Sequence, residues 1–104
     1  MKYRLTTAPG AQITAREVVA WHDAQGASLG TTAGFLADLD ATFRLLKTAP
    51  LACRVDDRFG LRRAHLHRFP YIVWFEVDDR TATVLALTHD RMSDESVAER
   101  LRAD

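Results

Sequence analysis

The pattern of apolar and polar residues from Leu61 to Arg91 predicts three consecutive β-strands. The first is short and basic, the second runs from Tyr71 to Val77, and the third runs from Ala82 to Thr88. The second strand is apolar on both sides, which is typical of a strand whose sheet is covered on both faces. His89-Asp90-Arg91 follows the third strand, so polar groups stand where the chain leaves the sheet. We therefore expect functional groups to be displayed on this meander.

Alternation within the two longer strands assigns side chains to faces, because successive residues of a strand point to opposite sides. In the middle strand, Ile72 and Trp74 are expected on one face and the odd-numbered residues on the other. In the third strand, Val84 and Ala86 are expected to share a face.

Apolar residues at three- and four-residue spacing predict two helices before the meander. The first covers 11–25, with Trp21 on its buried side, and the second ends at Pro50. The pattern of the second helix puts Asp38 on its outward side. A short loop that contains glycine joins the two, so they form a helical hairpin. The apolar stripe of the second helix consists of Leu36, Leu39, Phe43 and Leu46, and Phe35 widens it.

Shorter segments complete the predicted order. Tyr3–Thr7 predicts a strand that stops at Pro9-Gly10, and Leu51–Gly60 has no clear period and is interpreted as a loop. Ser93–Arg102 predicts a last helix with Ser93 as its N-cap. The resulting order is β-α-α-β-β-β-α, with a helical hairpin packed on a mostly antiparallel sheet. This order predicts an α+β fold, and we expect the 104 residues to form a single domain.

Charge is balanced in total but unevenly distributed along the chain. The 14 basic residues match 14 acidic ones, so net charge predicts no partner. The stretch from Arg54 to Arg68 has five arginines against two aspartates, whereas Glu17–Asp40 has four acids and no lysine or arginine. Arginine suits bidentate contacts with carboxylates and phosphates. The basic centre could therefore contact nucleic-acid phosphates or an acidic peptide, and the residues alone do not separate these partners.

His89 and Arg91 are the clearest candidates for chemistry. An imidazole with a pKa near 6.5 can act as a general acid or base, and an arginine can stabilise developing charge. Catalysis would also require a second acid–base group or an activated nucleophile. The alternative interpretation is that His89 and Arg91 are ordinary polar residues at the end of a strand, with no role in chemistry. His65 and His67 could supply two metal ligands, but only His89 is an obvious third, so we expect no metal and no cofactor.

The remaining features indicate an intracellular location. Cys53 is the one cysteine, so no disulfide can form within the chain, and no motif of a catalytic thiol surrounds it. The N-terminus lacks the apolar run of a signal peptide, and no apolar stretch is long enough to span a membrane. We expect a soluble, cytoplasmic protein with an inert cysteine.

Three segments together resemble the RelE/ParE family of toxins from bacterial type II toxin–antitoxin systems, also called plasmid-stabilisation proteins. They are Phe35–Pro50, Leu61–Val77 and Val84–Arg91, and the resemblance extends from Tyr3 to about Ser93. It implies a hairpin-rich antiparallel sheet packed against a helical hairpin, in agreement with the predicted order. It also implies a cognate antitoxin, with which the toxin would form a hetero-oligomer. Family antitoxins cover the toxin's helices and sheet with a C-terminal segment.

The resemblance leaves two activities open. RelE-like members are ribosome-dependent mRNA endonucleases, and in that case His89 and Arg91, with Arg68 or Arg63, would be the catalytic residues. However, Ile72 stands where an arginine commonly follows the aromatic residue of the middle strand, and Val97 stands in place of a C-terminal tyrosine. The lysines of that branch are also missing from the basic centre.

ParE-like members inhibit DNA gyrase by binding and need no nuclease constellation, so the missing residues favour this branch. The sequence thus predicts a gyrase-directed toxin, with ribosome and mRNA as the alternative target. The residues predicted to contact the target or the antitoxin are Arg62, Arg63, Arg68, Tyr71, His89 and Arg91.

Overall fold

The computed structural model describes residues 2–24 and 29–102. In chain order, its elements are β1 (Arg4–Thr7), α1 (Pro9–Ala24), α2 (Leu29–Thr48), a 3-10 turn (Pro50–Ala52), β2 (Val55–Asp56), β3 (Leu61–His65), β4 (Tyr71–Asp78), β5 (Thr81–His89) and α3 (Asp94–Arg102). The sheet has the strand order β1-β5-β4-β3-β2. Strand β1 runs parallel to β5, and the other neighbours are antiparallel. The predicted α+β fold with a mostly antiparallel sheet is therefore confirmed.

The central strand β4 is covered on both faces, as its apolar pattern predicts. Val73 and Phe75 are fully buried and pack in the main core with α1 and α2. Ile72 and Trp74 point the other way, into a second cluster that α3 completes. Helices thus cover both faces of the sheet, with the hairpin on one side and α3 on the other.

A β-bulge in β5 makes one face assignment wrong. Trp74 lies opposite Ala86 and Phe75 lies opposite Val84, so Leu85 is an extra residue in β5. Because one inserted residue shifts the alternation, Val84 belongs to the main core and Ala86 to the second cluster. The prediction that these two residues share a face did not allow for an insertion.

Most of the predicted stripe of α2 is buried, including Leu39 and Leu46, but its edge differs from the prediction. Phe35 is fully buried, whereas Leu36 is 48% exposed. Asp38, which was predicted to face outward, is only 6% exposed. Its carboxylate accepts hydrogen bonds from three consecutive backbone N–H groups of residues 67–69. A buried carboxylate is tolerated because these donors replace water, and hydrophobic periodicity alone cannot predict such a partner.

Three further predictions about the N-terminal half and the loop are corrected. Pro9-Gly10 does not separate β1 from the helix but begins α1, a position where proline is favoured because its missing N–H has no helical partner. Trp21 is 59% exposed on α1 rather than buried. The stretch Leu51–Gly60 contains part of the 3-10 turn and the short strand β2, which pairs with β3.

Helix α3 packs on the protein's own sheet. Ser93 caps it as predicted, since its hydroxyl accepts the backbone N–H of Ser96 at 3.2 Å. Val97 is 5% exposed and packs in the second cluster, with Leu101 and Met92 at its margin. This helix therefore explains why β4 is apolar on its second face.

Candidate functional site

A groove of about 600 Å³ opens at the end of the sheet where the β3–β4 turn meets the end of β5. Helix α1 forms one wall, and Met92 before α3 and Arg100 in the last turn of α3 close the other side. Its polar margin includes Glu17, His89 and Arg100. Most of the remaining lining is apolar: Val18, Trp21, Phe69, Pro70, Tyr71, Leu87 and Met92.

Aromatic packing fixes the floor and one wall of the groove. The buried ring of Phe35 on α2 lies edge-on to Phe69 at 5.8 Å and to Tyr71 at 5.5 Å between centroids. Tyr71 in turn meets the imidazole of His89 at 5.3 Å, because the two residues are paired on β4 and β5. Edge-on pairs of this kind hold ring orientation as well as burying area. Helix α2 thereby sets the position of groove side chains that belong to other elements.

His89 is held at the margin of the groove by its neighbours. Its Nδ1 accepts the backbone N–H of Arg91 at 3.1 Å, and the Asp90 carboxylate lies 3.4 Å from the same nitrogen. Because Asp90 follows β5 rather than continuing it, strand alternation does not separate its carboxylate from His89. Nδ1 as acceptor places the proton of the neutral ring on Nε2.

Tyr71 is not available as a base near neutral pH. Burial raises the pKa of its phenol above the ordinary value of about 10, so the phenol stays protonated. The groove thus combines an apolar floor with one imidazole and a neutral phenol.

Four of the six predicted binding residues come together here. Tyr71 and His89 line the groove. Arg68 lies in the adjacent β3–β4 turn and Arg91 directly follows β5, and both side chains are exposed. The turn and the end of β5 are joined by a hydrogen bond from the Asp90 N–H to the Pro70 carbonyl at 2.8 Å. This end of the sheet therefore presents basic groups around an apolar groove.

The other two predicted residues lie farther along β3 and have partners within the chain. Arg63 donates to the Asp56 carboxylate at 3.0 Å, and Arg62 donates to the Cys53 carbonyl at 2.7 Å. Asp56 is only 5% exposed and also accepts hydrogen bonds from the backbone and side chain of Arg58. The hydrogen bonds and charge of Arg58, with the charge of Arg63, hold the pKa of Asp56 below its usual range despite burial.

Sequence reasoning did not identify the role of Asp56, because its partners depend on β2 pairing with β3. Arg58 also contacts the Asp94 carboxylate at the start of α3. The same side chain therefore joins the β2 region to α3.

The histidine and cysteine candidates show little further chemistry. Strand β3 ends at His65, so His67 belongs to the following turn. Among the side chains that the structure describes (residues 2–21, 24 and 31–102), no three from His, Cys, Asp or Glu are grouped to hold a metal ion. Burial raises the pKa of the Cys53 thiol, which favours the unreactive protonated form.

None of the helices in the part of the chain that the structure describes is long and apolar enough to cross a membrane.

A family model matches most of the chain, and a solved structure shares its fold. Residues 19–94 match the family described as the ParE toxin of type II toxin-antitoxin system, parDE. Among solved structures, the fold is similar to a chain of the chromosomal ParDE toxin–antitoxin system from P. aeruginosa, with a TM-score of 0.70 and 15% sequence identity. That match covers 85% of this chain and 96% of the other. A search of curated proteins finds no match to the sequence.

Proposed function

The chain belongs to the ParE toxin family of type II toxin–antitoxin systems, and on this basis we propose that it inhibits DNA gyrase by direct protein–protein binding. Toxicity is then controlled by a cognate antitoxin, which binds the toxin as a hetero-oligomer. Because gyrase acts on the chromosome, the toxin works in the cytoplasm. It functions through its binding surface and does not cleave RNA.

The packing of Ile72 and Val97 is the observation that carries this proposal. Both residues stand where the sequence departs from the RNA-cleaving pattern, and both are buried in the second cluster. Their neighbour there is Trp74, which is 1% exposed. An arginine at position 72 would place a charge in this apolar contact, at a high desolvation cost. This face of the sheet is thus suited to packing α3 rather than to holding groups for phosphate chemistry.

The groups in the groove also favour binding over cleavage. Cleavage by general acid–base chemistry requires two suitably tuned groups and stabilisation of developing charge. The base is the group that the two rings of the groove do not offer: burial raises the pKa of the Tyr71 phenol, which stays protonated, and the Nδ1 lone pair of His89 already accepts the Arg91 N–H. An apolar groove with few polar groups is typical of a site that takes an anchoring side chain.

The antitoxin is the partner that suits this groove. A segment with apolar anchors would fill the cavity beside Trp21 and Phe69, and acidic side chains next to the anchors would pair with Arg68 and Arg91. Arginines at the margin provide electrostatic complementarity, which increases the association rate and the specificity. We therefore place antitoxin binding at the groove end of the sheet.

Expression of the toxin in a bacterial host tests the target. Plasmid topology and DNA-damage signalling are followed in parallel with primer-extension mapping of mRNA. We expect relaxed plasmid and DNA damage with intact mRNA. Ribosome-dependent cuts that disappear in His89→Ala would contradict the proposal and support the nuclease alternative.

A matched variant in the same experiment tests the role of the groove. Arg91→Ala should weaken co-purification with the cognate antitoxin. Arg44→Ala removes another exposed arginine, which lies on α2 and pairs with Asp40, and it should leave co-purification unchanged. Equal effects of the two substitutions would contradict the placement of the antitoxin.

A further inference from the structure

The turn between β3 and β4 is held by a single buried carboxylate on another element. Asp38 of α2 accepts the N–H of His67 on Oδ1 at 2.9 Å, and the N–H groups of Arg68 and Phe69 on Oδ2 at 2.7 and 3.0 Å. Three successive amides that converge on one anion form a backbone nest. The carboxylate thus takes the place that a strand partner would have for these amides.

Asp38 and the turn have to move together. Asp38 is 6% exposed, and the contacts that stabilise its charge are these three backbone donors. If the turn opened, a buried carboxylate would lose its donors, which is costly. Burial by itself would raise the pKa of Asp38, but the three N–H donors outweigh it and the pKa lies below its usual range. The carboxylate is therefore ionised at neutral pH and keeps its full capacity as an acceptor.

The turn carries the side chains that define one side of the groove. Phe69 and Pro70 line it, and Arg68 is exposed beside it. The Phe69 ring also packs against α2, where a side-chain carbon added to Gly34 would meet it at 3.5 Å. Asp38 acts on the groove without lining it.

We propose that Asp38 is a positioning residue that fixes the 67–69 backbone and thereby sets Arg68 and the Phe69 wall for partner binding. The consequence for binding rests on the proposed function, namely that the groove takes the antitoxin. The positioning itself is a property of the free toxin and is tested separately. Helix α2 would in this way control a surface formed by another part of the chain.

Amide exchange in the free toxin tests the positioning. In the wild type, the amides of residues 67–69 should exchange as slowly as those of the adjacent strands. In Asp38→Asn, which keeps the side-chain size but puts an NH₂ group against N–H donors, they should exchange roughly tenfold faster or more. The control is Asp40→Asn, an exposed carboxylate two residues away that pairs with Arg44; it should leave these amides unchanged. Rapid exchange of the three amides in the wild type would overturn the proposal even if Asp38→Asn did not fold.

A double-mutant cycle tests whether the positioning matters for binding. Affinity for the purified cognate antitoxin is measured by calorimetry, below the unfolding temperature of every variant. Arg68→Ala should weaken binding roughly tenfold in the wild type, the effect of one charge-assisted hydrogen bond. In the Asp38→Asn background, it should weaken binding by less than about twofold, the usual error of additivity. A merely destabilising role of Asp38 would leave the effect of Arg68→Ala unchanged.

The two proposals fail in different ways. Additive effects with fast exchange in Asp38→Asn would show that the turn is fixed by Asp38 but that its position is not used in binding, which overturns this inference alone. Absence of binding by the wild type, with the exchange result as expected, would overturn the antitoxin site but leave Asp38 as the residue that fixes the turn.

Discussion

Replacing Arg63 with alanine distinguishes a structural arginine from a binding one. Arg63 was predicted to contact a partner, but its side chain is only 27% exposed and donates to the Asp56 carboxylate, whose side chain is 4% exposed. The substitution leaves Oδ2 of Asp56 with only the donor from Arg58. A hydrogen bond to a charged group contributes about 1.5–3 kcal/mol, and loss of a complete buried ion pair costs about 3–5 kcal/mol. Because Arg58 remains, we expect the lower range, about 1.5–3 kcal/mol.

Urea denaturation of purified variants measures this loss in the free energy of unfolding. In a thermal melt of a domain of this size, the same loss corresponds to a fall in Tm of roughly 6–24 °C. The matched control is Arg68→Ala, an exposed arginine whose substitution should change stability by less than about 0.5 kcal/mol. If Arg63→Ala kept wild-type stability but lost antitoxin binding, the assignment of Arg63 to the interior network would be refuted.

Three other predictions follow from individual contacts. Thr88→Val should lower the free energy of unfolding by about 1–3 kcal/mol, because it leaves the buried indole N–H of Trp74 without its acceptor at 2.8 Å. In a Trp74→Phe background the same change should be nearly neutral, and equal costs in both backgrounds would contradict the hydrogen bond. The pKa values of Asp38 and Asp56 lie below their usual range, so their stabilisation is fully present above an unfolded value of about 3.9 and is lost as the pH falls through the folded values. Urea midpoints should therefore fall steeply below about pH 4, and midpoints that stay level down to pH 3 would contradict the network. Trp21→Ala should leave the free energy of unfolding nearly unchanged but weaken antitoxin binding, since Trp21 is 59% exposed on the groove wall. A large loss of stability would show that this tryptophan belongs to the core.

The fold could be predicted where periodicity carries the information. The apolar residues on both faces of β4 indicated a doubly covered strand, and Ile72 and Trp74 do pack under α3. The bulge at Leu85 could not be predicted, because an inserted residue is visible only once β5 is paired with β4. Asp38 was assigned to the outside because a charged side chain is normally exposed to solvent. Its burial depends on backbone donors from residues 67–69, which are distant in sequence and become neighbours only in the folded chain.

The site could be predicted in part. The sequence assigned one binding surface to Arg68, Tyr71 and His89, and all three lie near the same end of the hairpin. Their role in binding stays a prediction. The number of arginines around Arg63 suggested a basic surface patch. However, the ion-pair partner of Arg63 is Asp56, which lies in the short strand β2. Two-residue strands carry too little pattern to be recognised from sequence, so the structural use of Arg63 required the tertiary fold.

The central claim is tested most directly by DNA supercoiling with purified components. Relaxed plasmid, gyrase and ATP are mixed with increasing toxin, with and without an equimolar amount of the cognate antitoxin. The account predicts that the toxin blocks supercoiling and that the antitoxin restores it. Undiminished supercoiling at toxin concentrations well above that of gyrase would contradict the account.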